Sequence, residues 1–139
     1  MPGETNQVRW RGVRPVSGIR GVWPDVDAVR VDKSEWQGGT GTTVVYTVPA
    51  GKILFISSSF ITSSLGVNAS CSAEFNTRDA GDVPQWILYA QLYIVAGQQS
   101  NGMYHLPALE CPAGWDLFIA SNHANLNLTG IFHGWLENA

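Results

Sequence analysis

The 139-residue chain carries 8 basic side chains, 11 acidic ones and 3 histidines, for a net charge of −3, and 45% of its residues are apolar against only 14% charged. A chain of this length fits one domain that buries about two-thirds of its unfolded surface without help from a metal or a disulfide. A charged fraction well below the usual quarter leaves a surface suited to contact with other protein.

The charge is unevenly spread. Residues 1–33 hold six basic side chains against four acids, a balance of +2, and the remainder holds Lys52 and Arg78 against seven acids, a balance of −5. Arm and body are therefore expected to attract one another, within a subunit or between subunits. The acidic body and the lack of a dense basic run argue against nucleic acid as a partner. No apolar run approaches the roughly 18 residues of a membrane span, so no membrane partner is expected. The opening Met1-Pro2-Gly3-Glu4 lacks the basic-then-apolar pattern of a secretory leader, so a protein made and kept in a cytosol is expected. Cys71 and Cys111 then read as buried thiols rather than as a disulfide.

In chain order, residues 1–41 show no sustained period of 2 or 3.6 and are broken by Pro15, Gly18, Gly21, Pro24, Gly38, Gly39 and Gly41, which predicts an extended N-terminal arm. The arm nevertheless holds Trp10, Trp23 and Trp36, half of the chain's tryptophans, and so is expected to dock on something. Strand text begins at Thr42 and defines the second unit, a β-sandwich over residues 42–139. Its segments are Thr42 to Val48, Lys52 to Thr62, Asn68 to Thr77, Gln85 to Val95, a weak Gly102 to His105 followed by Leu109 to Cys111, Trp115 to Ala120, and Ala124 to Leu136.

Short strands at this spacing predict an all-β fold, a jelly-roll-like antiparallel β-sandwich. The segment Val48-Pro49-Ala50-Gly51-Lys52-Ile53-Leu54-Phe55-Ile56 recurs 63 residues later as Cys111-Pro112-Ala113-Gly114-Trp115-Asp116-Leu117-Phe118-Ile119. A repeated strand, turn and strand suits two similar Greek-key halves.

Several strands carry more apolar residues than one buried face can use. With Trp86, Leu88, Ala90, Leu92 and Ile94 inward, Ile87, Tyr89 and Tyr93 are left outside. With Leu126, Leu128, Phe132 and Leu136 inward, Ile131, His133 and Trp135 are left outside. In the strand after the first turn, Leu54, Ile56 and Phe60 oppose Ile53, Phe55 and Ile61. These leftover faces predict an oligomer interface of Ile87, Tyr89, Tyr93, Ile131, His133 and Trp135 in a homo-oligomer, with a trimer as the expected form. The competing expectation is that the arm covers these faces within one subunit.

The chemistry-bearing residues form no catalytic pattern. His105, His123 and His133 lack metal-site spacing, nucleophile and phosphate-loop motifs are absent, and Asp79 with Asp82 falls short of a calcium ligand set. No enzyme activity, cofactor or metal is expected. The alternative to a structural role is sugar binding, for which Trp135, His133, Asn125 and Asn127 combine an aromatic with amides.

The motifs Tyr46-Thr47-Val48-Pro49-Ala50-Gly51-Lys52, Leu106-Pro107-Ala108-Leu109-Glu110-Cys111-Pro112-Ala113-Gly114-Trp115-Asp116 and the closing Gly130 to Glu137 resemble small β-sandwich virion proteins of tailed bacteriophages, over about residues 42–137. That resemblance implies a capsid decoration, neck or tail protein in the virion, assembled in the host cytoplasm beside a major capsid protein or another virion protein. It supplies no active-site residues. Trp10, Arg11, Arg14 and Trp23 are then the expected arm contacts with the capsid or a neighbour. The rival reading becomes a carbohydrate-binding host-recognition module on a phage tail or fibre.

Overall fold

A computed structural model describes Gly21, Val22, Pro24, Asp25 and residues 28–139 of the protein. They contain eight strands: β1 (Val29–Gly38), β2 (Gly41–Thr47), β3 (Lys52–Leu65), β4 (Cys71–Arg78), β5 (Pro84–Ile94), β6 (Gly97–Cys111), β7 (Asp116–Ser121) and β8 (Leu126–Asn138). The strands form two four-stranded antiparallel sheets, β1-β8-β3-β6 (sheet A) and β2-β7-β4-β5 (sheet B).

The order has a simple origin. β1 pairs with β8, β2 with β7, β3 with β6 and β4 with β5, the pairing of one long hairpin folded at its middle. Rolling that hairpin up adds the β3–β8 and β4–β7 pairs and yields the jelly-roll-like sandwich expected from the sequence.

The repeated motif supplies two matching corners of the roll. Each carries the chain from one sheet to the other through a Pro-Ala-Gly turn, closed by Lys52 N–H to Pro49 O at 3.2 Å and by Trp115 N–H to Pro112 O at 3.3 Å. Gly51 and Gly114 hold φ of 73° and 80° at the third turn position, where a β-carbon would be strained. The corners bind each other: Val48 N–H donates to Trp115 O at 2.9 Å and Gly114 N–H to Val48 O at 2.8 Å.

The core lies between the sheets, where Leu54, Ile56 and Ile61 of β3, Phe75 of β4, Leu88 and Ile94 of β5, Leu117 and Ile119 of β7 and Leu126 and Phe132 of β8 are fully buried. Each such side chain contributes about 1.5–3 kcal/mol of burial.

Three departures from the sequence reading follow from local geometry. The sheet begins at Val29, not at Thr42: β1 pairs with β8 from Val29↔Leu136 to Gly38↔Asn127, so the last part of the expected arm is a strand of the sandwich. Its alternation is weak because β1 is an edge strand, where Lys33 and Glu35 stay exposed on the side facing sheet B. In β3 the extra residue Ser57 reverses the alternation, so Phe60 turns outward and Ile61 becomes core. In β5 the pairing with β4 is irregular between Asn76 and Arg78, and Trp86, expected inside, has φ of 53° and is 60% exposed.

Candidate functional site

The outer face of sheet A carries a second, small hydrophobic cluster. The register sets Phe55 of β3 beside Trp135 of β8, and their rings stack at 5.3 Å and 10°. Ala108 of β6, Ile53 and Ala28 complete the cluster. The chain entering β1 crosses here. Gly21 O accepts from Ala108 N–H at 2.9 Å, and the Asp25 amide donates to Glu137 Oε1 at 3.1 Å. The same carboxylate oxygen accepts the Trp135 indole N–H at 2.8 Å. A β-carbon on Gly21, whose φ is 78°, would sit 2.9 Å from the Ala108 backbone, so this close approach needs glycine. These contacts form a clasp that fixes Gly21 beside β6.

The six residues expected at an oligomer interface divide between the two outer faces. Ile87, Tyr89 and Tyr93 lie on β5 and sheet B, while Ile131, His133 and Trp135 lie on β8 and sheet A. Trp135 is 9% exposed, covered by the chain's own clasp. Covering of the leftover faces within one subunit is thus realised at this end of sheet A. Trp10, Arg11, Arg14 and Trp23 lie outside the described residues.

Other exposed apolar residues gather along one edge of the sandwich, where β5 of sheet B meets β6 of sheet A. Among the described residues twelve large apolar side chains are exposed, and seven of them belong here: Phe60 on β3, Trp86, Tyr89 and Tyr93 on β5, Val95 in the turn, and Tyr104 and Leu106 on β6. Phe60 and Tyr104 line a cleft of about 440 Å³ on face A with Met103, Ile131 and His133. Face B holds Glu74 in a shallow cleft beside Ser72 and Gln91, where burial pushes its carboxyl up. Burial, then the Glu74 charge, also raises the Tyr89 hydroxyl. Sequence reading missed Phe60 because of the Ser57 bulge. It missed Tyr104 and Leu106 because β6 is interrupted where Ser57 faces His105, Leu106, Pro107 and Ala108.

The proposed sugar-binding residues are not brought together. Asn127 and Trp135 stand eight residues apart on one strand, roughly 26 Å at about 3.3 Å per residue. An exposed tryptophan among neutral polar groups does occur elsewhere on face A. Trp36 of β1, 61% exposed, lines an open cleft of about 270 Å³ with Thr62, Ser64, Gln98, Asn127 and Thr129.

The titratable groups serve local structure. His133 Nδ1 lies 2.8 Å from Asp32, and this hydrogen bond, with Arg30 adding to it, holds the Asp32 carboxyl below its ordinary value. His105 shares a hydrogen bond with Ser59, and burial lowers its pKa. His123 Nδ1 accepts from the Asn125 amide. Asp79 Oδ1 accepts the amides of Gly81 and Val83, which lower its pKa, and Asp82 pairs with Arg78. Cys71 and Cys111 are buried free thiols, and burial aided by the Asp116 charge pushes Cys111 up to about 12. Among the described residues no cluster of three metal-ligating side chains occurs, and no helix is long and apolar enough to cross a membrane.

Fold and surface together define the class: an all-β, two-sheet sandwich with a clasped N-terminal segment and apolar patches on both outer faces. No family model and no curated protein matches the chain. Among solved structures, the cyanophage Pam1 capsid asymmetric unit is similar at 18% identity and a TM-score of 0.43, covering 97% of this chain and 99% of that one. A structure of Bacillus endospore appendages, described as disulfide-linked pili, is similar at 7% identity and a TM-score of 0.40, covering 80% and 88%. Likenesses this loose carry no argument about function.

Proposed function

We propose that the protein is a non-enzymatic bacteriophage virion structural protein, an oligomeric capsid decoration protein of three subunits attached partly through residues 1–20. The observation that carries the reading is the exposed apolar edge at β5 and β6: too much apolar surface for a lone sandwich. The clasp supports the arm's role. It holds Gly21 beside β6, next to the apolar edge, and residues 1–20 carry Arg9, Arg11, Arg14 and Arg20 against Glu4, a balance of +3. Residues 21–139 hold four basic side chains against ten acids, a balance of −6, so an arm is drawn to a neighbouring body as well as to its own. Several weak arms on one oligomer hold firmly because linked sites raise effective concentration. The resemblance of the corner motifs to phage β-sandwich proteins supplies the virion context.

The test is deletion of residues 1–20, which leaves β1 and the clasp in place. The truncated protein is expected to remain a folded oligomer and to lose attachment to the capsid shell. Normal attachment of the truncated protein refutes the arm's role.

The Trp36 cleft favours a second reading, sugar binding on a tail or fibre. A β-carbon on Gly38 would meet the Trp36 ring at 2.7 Å, so the ring lies flat along the sheet beside neutral hydroxyls and amides, a surface that suits an uncharged sugar face. Binding to an array of neutral oligosaccharides that disappears in Trp36→Ala selects this reading; no binding on the array removes it.

A further inference from the structure

We infer that subunits join through a heterologous contact, in which the sheet A side of the β5–β6 edge of one copy packs against the sheet B side of that edge on the next. The inference rests on the oligomeric reading above and adds to it which surface meets which.

The first argument is placement. Tyr104 and Phe60 face outward from sheet A, and Tyr89 and Tyr93 face outward from sheet B, on opposite sides of one edge. A two-fold dimer uses the same patch on both copies and leaves the other patch in water. A head-to-tail contact related by a three-fold rotation closes into a ring and buries both in every subunit.

The second argument is area. At roughly 200 Å² per large side chain, the exposed fractions of Phe60, Tyr104 and Leu106 amount to about 430 Å² and those of Tyr89, Tyr93 and Val95 to about 350 Å². The two patches are similar in size. Together they supply about 780 Å², most of the non-polar share of a standard interface of about 1,600 Å² that is slightly more than half apolar.

The third argument is charge. The face B patch borders Glu74, so pairing face B with itself brings two carboxylates together. The residues lining the face A cleft include no carboxylate, so packing face B on face A avoids that pairing.

Full-length protein carrying Tyr104→Glu (face A) or Tyr93→Glu (face B) tests the contact by native mass spectrometry and light scattering. The two tyrosines are 94% and 71% exposed, so the fold is expected to survive, with thermal melting as the check. Wild type is expected near 45 kDa, three chains of 15.1 kDa, and each variant alone near 15 kDa, with subunit dissociation raised at least 100-fold. A 1:1 mixture of the two variants retains one intact contact and is expected to give a heterodimer near 30 kDa and nothing larger. Should either variant keep the wild-type assembly, or should the mixture stay monomeric, the heterologous contact is wrong. A monomeric wild type that still binds shells also overturns the contact while leaving the virion role standing.

Discussion

Replacing Glu137 by alanine removes the acceptor at the centre of the clasp. Oε1 of this buried side chain receives both the Trp135 indole N–H and the Asp25 amide. Trp135 is too deeply covered for water to replace the lost partner freely, which costs about 2–3 kcal/mol; the Asp25 amide, half exposed, adds about 0.5–1 kcal/mol. The expected loss is about 3 kcal/mol by urea denaturation. Glu137→Gln keeps one acceptor oxygen while exchanging the charge and the other oxygen for an amide NH2, and is expected to cost about 1 kcal/mol. Trp135→Phe deletes the donor, so combining it with Glu137→Ala is expected to cost less than the sum of the two, with a coupling of about 1 kcal/mol or more. Hydrogen exchange at the Asp25 amide is expected to accelerate in Glu137→Ala while core amides of β4 and β7 change only with global stability. A Glu137→Ala protein within about 0.5 kcal/mol of wild type, with unaltered exchange at Asp25, refutes the clasp.

Two further tests probe the sandwich and its surface. A β-carbon on Gly134 would collide with the Phe55 carbonyl oxygen, inside the β3–β8 ladder beside the Ser57 bulge, so Gly134→Ala is expected to exceed the usual overpacking cost of about 1–3 kcal/mol; an unchanged urea midpoint contradicts the packing described. Because the Asp32 carboxyl titrates below its ordinary 3.8, its stabilising contribution is fully present above that value and is lost as pH falls through the lowered one. Carboxyl carbon shifts are expected to show that midpoint below 3.8 and to show it rising in His133→Ala; an unmoved midpoint rules out the hydrogen bond as its cause.

Much of the fold was legible because alternation and turn chemistry agree. The two Pro-Ala-Gly turns marked the corners, and the alternating Asn68 to Thr77 segment overlaps β4. Where the reading failed, strand geometry departs from strict alternation. One extra residue at Ser57 exchanges the roles of Phe60 and Ile61, and no composition rule reports a bulge. β1 escaped notice because an edge strand needs little apolar surface. The surplus of apolar residues was legible in kind but not in place. Surplus aromatics on β5 and β8 were expected to be left outside the core, yet only topology shows that these strands lie on opposite outer faces and that Trp135 is covered by the chain's own clasp.

The central claim, that the protein is a fixed part of a virion shell, is tested most directly by quantitative mass spectrometry of purified virions from the source lysate. The account predicts the chain in intact particles at a constant ratio to the shell protein, retained through density-gradient purification. Its absence from such particles, with the protein recovered only in the soluble fraction, contradicts the account.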